Sequence, residues 1–175
     1  MDFVSHMLVG NIFKEAGRVN SFKNKLIVVS FAFLPDVPGL LVVYPLLGHE
    51  HGRAYWFPHN SDWVGVHAAH PLWAAIWEVP HSLLFLAMVI VPLVLWLKWT
   101  KLAIASYLSH ILLDLPTHTG EWAVRALYPF NWTVQGFTDA WAWPLKYMAI
   151  SWFVLVIVAY LIRFSLQRKP AGATL

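Results

Sequence analysis

Four apolar runs in this chain are long enough to cross a bilayer, and three of them carry ionisable side chains where lipid-facing helices carry none. A hydrocarbon core of about 30 Å takes about 20 apolar residues as helix. The runs cover 26–48, 79–97, 102–118 and 145–164. The first is interrupted by Pro35, Asp36, Pro38 and Gly39, and the second opens with Pro80 and His81. The third holds His110 and Asp114 and stops at Pro116; only the fourth is ordinary. Composition agrees: 59% of residues are hydrophobic and 12% charged, against about 45–50% and 25% in soluble domains.

The expected fold is therefore all-α: a polytopic membrane protein with about four transmembrane helices, forming a single membrane domain over 1–175. A further helix is expected from Asp2 to Phe13, twelve residues that cannot span and so sit half-inserted or at the interface. Asp2 stands where a signal peptide would carry basic residues, so this segment reads as structure rather than leader. With no cysteine, any metal must be held by nitrogen and oxygen. A net charge of +3, scattered along the chain, gives nucleic acid no footprint.

Nine of the twelve basic residues fall before the first run, between the second and third, or after the fourth. Positively charged loops stay cytoplasmic, which places both the N-terminal stretch and the C-terminus inside the cell. The two long loops, 49–78 and 119–146, then face outward. Their tryptophans, including Trp56, Trp63, Trp77, Trp122 and Trp132, read as an interfacial aromatic belt.

An ionisable group inside a membrane costs at least roughly 2.5–3.5 kcal/mol on insertion scales, so it is retained where it pairs, binds or reacts. At 1.5 Å of rise per residue, Asp36 lies about 16 Å above Lys25, and His110 and Asp114 about 14 and 20 Å above Lys101. These three share a level. His81 comes out one turn higher, and His6 reaches the same layer if the first helix inserts. His110, Asp114 and His118 are spaced i, i+4, i+8 along one helical face. Imidazole plus carboxylate suits zinc first, with manganese or iron as alternatives. The broken run around Asp36 fits backbone that lines a protein-buried cavity. No Arg or Lys lies in the three runs that hold these residues to pair with the carboxylates. Glu78 and His118 lie toward the outer surface, where either could serve as a catalytic base. The remaining loop histidines, His49, His51, His59, His67 and His70, are expected to be solvated.

The order of motifs, Ser5-His6, Leu34-Pro35-Asp36, His81-Ser82, then Tyr107 through Asp114 with Thr117-His118 and Tyr128-Pro129-Phe130, resembles the membrane-bound metal-dependent hydrolase family. That group includes LexA-regulated inner-membrane proteins and is similar to zinc-dependent phospholipases C. The resemblance implies an inner-membrane location and His6, Asp36, His81, His110 and Asp114 as ligands of a divalent metal ion. Two positions depart from the family pattern: Pro38 stands where a second Asp is common, and Glu78-Val79-Pro80 where a His-Arg is common.

The leading functional expectation is a membrane-embedded metal-dependent hydrolase acting on a lipid-linked or membrane-associated ester, including a phosphoester. The alternative is a non-catalytic subunit of a larger membrane complex that keeps a degenerate metal site. Haem or pigment ligation is weaker, because two aspartates are poor neighbours for an apolar macrocycle. Transport is weaker still, for want of an inverted repeat.

Overall fold

The computed structural model describes residues 1–53 and 60–167. Seven longer helices carry the architecture among them. Helix α1 (Phe3–Ala16) starts where the Asp2 carboxylate accepts the Ser5 N–H at 3.0 Å, filling one of the orphan donors of a helix start. Helix α2 (Phe22–Phe33) is capped the same way by Ser21. Pro35 has no N–H to continue the ladder, so the chain turns by 66° before resuming as α3 (Asp36–Glu50), which contains a π-helical turn at Gly39–Val43.

The second broken pair follows the same logic. Helix α4 (Pro71–Glu78) meets α5 (Leu83–Trp96) at 56°, across a link that holds Pro80 and His81. Ser82 then caps α5 by accepting the Leu84 N–H at 3.1 Å. Helix α6 (Leu102–Thr117) takes Pro116 only in its last turn, and α7 (Leu145–Gln167) is the one unbroken long helix.

Helix α7 is long and apolar enough to cross a membrane. Up to three spans result if each bent pair counts as one, and α6 is a shorter apolar helix of 16 residues. The structure is all-helical, with no strand among the described residues and a single isolated bridge between Val124 and Val134. The expected runs 26–48 and 79–97 are thus not smooth helices. Their prolines divide the first, and place the break of the second at its N-terminal end, where α4 joins it.

Helices α1, α2 and α6 form the heart of the molecule. Gly10 lets α1 close on α2, since a Cβ there would sit 2.6 Å from that of Ala32. Ser106 on α6 donates to the Val28 carbonyl of α2 at 2.7 Å, within the buried contact. The far end of α6 is gripped by the return segment. The Gly136 N–H donates to the His118 carbonyl at 2.8 Å, and any side chain at 136 would strike that oxygen and the Pro116 carbonyl.

Apolar packing falls into two clusters. One gathers Phe31, Leu86, Ile90, Val94, Tyr107 and Ile111 between α2, α5 and α6. The other joins Tyr44 and Leu47 of α3 to Trp63, Trp77 and Trp122. Those three tryptophans are 0–2% exposed, and Trp63 stacks on Trp122 with ring centroids 4.3 Å apart. They are core, not an interfacial belt. Indole rings bury large areas, and here they close a cap over the helices. Trp132, 53% exposed, remains free for an interface; Trp56 lies outside the described residues.

Candidate metal centre

Five of the polar residues in the apolar runs converge. His6 projects from the second turn of α1, and Asp36 is the first residue of α3, aimed by the turn that Pro35 forces. His81 sits in the link between α4 and α5, and the bend there brings it into the layer, although a straight helix would hold it one turn higher. His110 and Asp114 lie one turn apart on α6. Four of the five are at most 1% exposed, and Asp36 is 8%.

The two pivotal imidazoles have their tautomers fixed from behind. His81 donates from Nδ1 to the Trp77 carbonyl at 2.6 Å, and His110 donates from Nδ1 to the Ala32 carbonyl at 2.7 Å. Each Nε2 therefore presents a bare lone pair in the neutral ring. These two nitrogens stand 3.1 Å apart. Asp114 Oδ2 is 3.1 Å from His110 Nε2 and 3.7 Å from His81 Nε2; Asp36 Oδ1 is 3.6 and 3.5 Å from the same two atoms. Asp36 Oδ2 and Asp114 Oδ2 are buried without a hydrogen-bond partner.

Facing lone pairs and orphaned carboxylate oxygens repel unless a cation lies among them. Two carboxylates and neutral imidazoles match the charge of a divalent ion. The distances match its size as well. Bonds of about 2.0–2.2 Å in a tetrahedron set ligand atoms about 3.3–3.6 Å apart, close to the five separations above. Two sets of three donors meet the requirement: His6, Asp36 and His110, and His81, His110 and Asp114, each with donor atoms within 4.8 Å of one another. The buried His/Asp group can hold a metal ion. The carbonyls behind His81 and His110 complete it, because a ligating imidazole needs its second nitrogen anchored.

His6 stacks on His110 with centroids 3.6 Å apart, and its Nε2 lies 3.1 Å from Asp114 Oδ1. His118 is 2% exposed, with Nε2 3.8 Å from the same oxygen, so it lies at the edge of the cluster. A cation does reach Asp114 despite the lack of Lys or Arg in the first three runs: the Met1 amino group, at 2.5 Å.

Glu78 is buried too, but its partners, His67 and Arg125, lie outside the cluster. Its Oε1 accepts from His67 Nε2 at 2.7 Å and pairs with Arg125 Nε at 3.1 Å. His67, expected to be solvated, also reaches Glu121 through Nδ1 at 2.9 Å. No spacing rule announced this chain, since His67, Glu121 and Arg125 lie 11, 43 and 47 residues from Glu78. His59 lies outside the described residues. Glu78→Gln is expected to lower the melting temperature by several degrees while leaving bound metal unchanged, measured by thermal unfolding and elemental analysis of the same sample.

The backs of the site, the Trp77 and Ala32 carbonyls, also escaped sequence reasoning. Each precedes a ligand by four residues, as Trp77 does His81 and Ala32 does Asp36, and that spacing was the available signal. Comparison with protein families, curated proteins and solved structures gives no match.

Proposed function

We propose that this chain is a multi-pass inner-membrane protein whose buried centre binds a divalent metal ion, zinc first, and uses it to hydrolyse a lipid-linked or membrane-associated ester or phosphoester. The observation that carries the reading is the pair of bare Nε2 atoms 3.1 Å apart, flanked by two orphaned carboxylate oxygens. Four spans follow if α2/α3, α4/α5, α6 and α7 each cross. Helix α6 rises about 24 Å, short for an average bilayer but within reach of a thin one. The C-terminus is then cytoplasmic. A cysteine at position 119 should label from outside the cell, and one at position 100 should not; the reverse pattern would invert the topology.

A bound divalent ion supplies Lewis acidity and a water acidified to near neutrality. The protein supplies the rest. His81 and His110 hold their lone pairs in place through Trp77 and Ala32, and Asp36 and Asp114 provide the negative charge that retains the ion. His118 is placed to move the proton. Its Nδ1 donates to the Thr117 carbonyl at 2.8 Å, which leaves Nε2 as acceptor. As water oxygen bonds to the ester phosphorus or carbonyl carbon, its proton passes to His118 Nε2. The same proton then goes to the leaving-group oxygen as that bond breaks. Glu78, held by Arg125 and His67, takes the lesser part of steadying the outer cap.

A lipid substrate is favoured by an apolar surface groove of about 390 Å³ lined by Pro38, Ile76, Val79, Pro80 and Phe85. Pro38 follows Asp36 by two residues and Pro80 immediately precedes His81, so the groove runs beside the breaks that position two ligands.

Hydrolysis of a phospholipid ester in micelles, with metal supplied, tests the reading. His118→Ala is expected to slow turnover by about 10²–10⁴-fold with metal retained. Wild-type protein loaded with metal yet inert toward lipid esters, or activity unchanged in His118→Ala and His110→Ala, would refute it. The near-complete burial of the centre favours one second reading, a non-catalytic subunit with a closed structural site. Co-purification with a larger complex at fixed stoichiometry, without hydrolysis, would select it.

A further inference from the structure

The end of the molecule opposite the tryptophan cap carries a second site, which the metal centre does not use. Lys14 in the last turn of α1, Arg18 in the following loop, Lys25 in the first turn of α2 and Arg163 near the end of α7 line one cavity of about 430 Å³. Glu15 is the only carboxylate in its wall among the described residues, and its Oε1 is paired with Lys14 at 3.0 Å. Among the described residues, no carboxylate lies within 4 Å of the Arg18, Lys25 or Arg163 nitrogens. Arg18 is directed toward α7 by a long contact with the Leu166 carbonyl, at 3.5 Å. Four cations drawn together from three helices and a loop repel one another, and a shared anion relieves that repulsion. Arginine supplies the paired N–H donors that suit phosphate oxygens.

A smaller cavity of about 190 Å³ adjoins it. Glu15 and Arg163 belong to both walls, and the smaller one continues between α1 and α7 along Asn11 on one side and Val156, Ala159 and Tyr160 on the other. Ala159 is the one buried residue of α7, so the slot runs along the seam that fastens this helix to α1. A basic cradle opening into an apolar slot has the shape of an amphiphile with an anionic head. We propose that this end binds an anionic phospholipid, its phosphate among Arg18, Lys25 and Arg163 and an acyl chain between α1 and α7. The lipid would fasten α7 to the body of the protein. The proposal is independent of hydrolysis and requires only that this end lie at a membrane face, where basic pockets meet acidic lipid.

Thermal unfolding of the full chain in neutral detergent micelles provides the test. Added phosphatidylglycerol should raise the midpoint by several degrees in a saturable way, and phosphatidylcholine should not. The double variant Arg18→Gln/Arg163→Gln should need roughly 30-fold more phosphatidylglycerol for the same shift, while Lys98→Gln/Lys101→Gln, outside the cavity wall, should behave as wild type. If the double variant melts early in neutral micelles, Arg163→Lys and Arg163→Gln alone carry the comparison. The first should keep the affinity and the second lose part of it. An equal shift with phosphatidylcholine, the same shift from inorganic phosphate alone at equal concentration, or unchanged affinity in the Gln variants would overturn the proposal. The labelling experiment on positions 100 and 119 separates such a failure from an error in topology.

Discussion

Asp114→Ala is expected to strip the protein of bound metal under conditions where the wild type retains it. Asp114 is the hub of the centre: Oδ1 faces His6 at 3.1 Å, and Oδ2 faces His110 at 3.1 Å and His81 at 3.7 Å. Changing a residue that only supports a ligand costs about 10–100-fold in metal affinity, so loss of the central carboxylate should cost more. Stability should respond in an instructive way. Binding to the folded state alone stabilises it by mass action, so a chelator should lower the wild-type melting temperature and leave that of Asp114→Ala unchanged. The charge-free Asp114→Asn, which keeps the shape, should behave like Asp114→Ala. Elemental analysis beside thermal unfolding, with and without chelator, makes the measurement. Equal metal content in wild type and both variants would remove Asp114 from the site.

Trp77→Ala is expected to cost about 3–5 kcal/mol, as for a large aromatic removed from a packed core. In a chain of this length that corresponds to a drop of about 6–20 °C in melting temperature. Trp77 is 1% exposed and stacks on His81 with ring centroids 4.4 Å apart, while its carbonyl fixes the His81 tautomer. The substitution should therefore weaken metal binding as well, through a looser His81. Trp132→Ala, at a half-exposed ring, should move stability by less than about 0.5 kcal/mol. Equal effects at the two positions would return Trp77 to the role of an interface anchor.

These two residues mark where sequence reasoning succeeds and where it stops. The layer of Asp36, His110 and Asp114 follows from rise per residue and from the cost of charge in an apolar run, and the structure places the three together. His81 defeats the same arithmetic, because depth along a straight helix ignores the 56° bend that Pro80 helps to make. Proline signals a break, but the angle is set by tertiary packing. The tryptophans mislead for a related reason: an indole suits an interface and a core equally well, and only the return of 119–144 over the helix ends decides between them. Glu78 and His67 meet across a cap whose folding no local pattern encodes. The helical class itself was legible, because apolar runs of this length without cysteine staples have few alternatives.

The bare imidazole nitrogens and orphaned carboxylate oxygens should surround a metal ion. X-ray absorption on the purified full chain, at the edge of whichever divalent metal elemental analysis finds, tests it most directly. Near-stoichiometric metal is expected in a shell of nitrogen and oxygen at about 2.0–2.2 Å, with the outer scattering of imidazole, lost in His110→Ala. A folded wild-type protein that carries no metal, and whose melting temperature is indifferent to added zinc, manganese or iron, would contradict it.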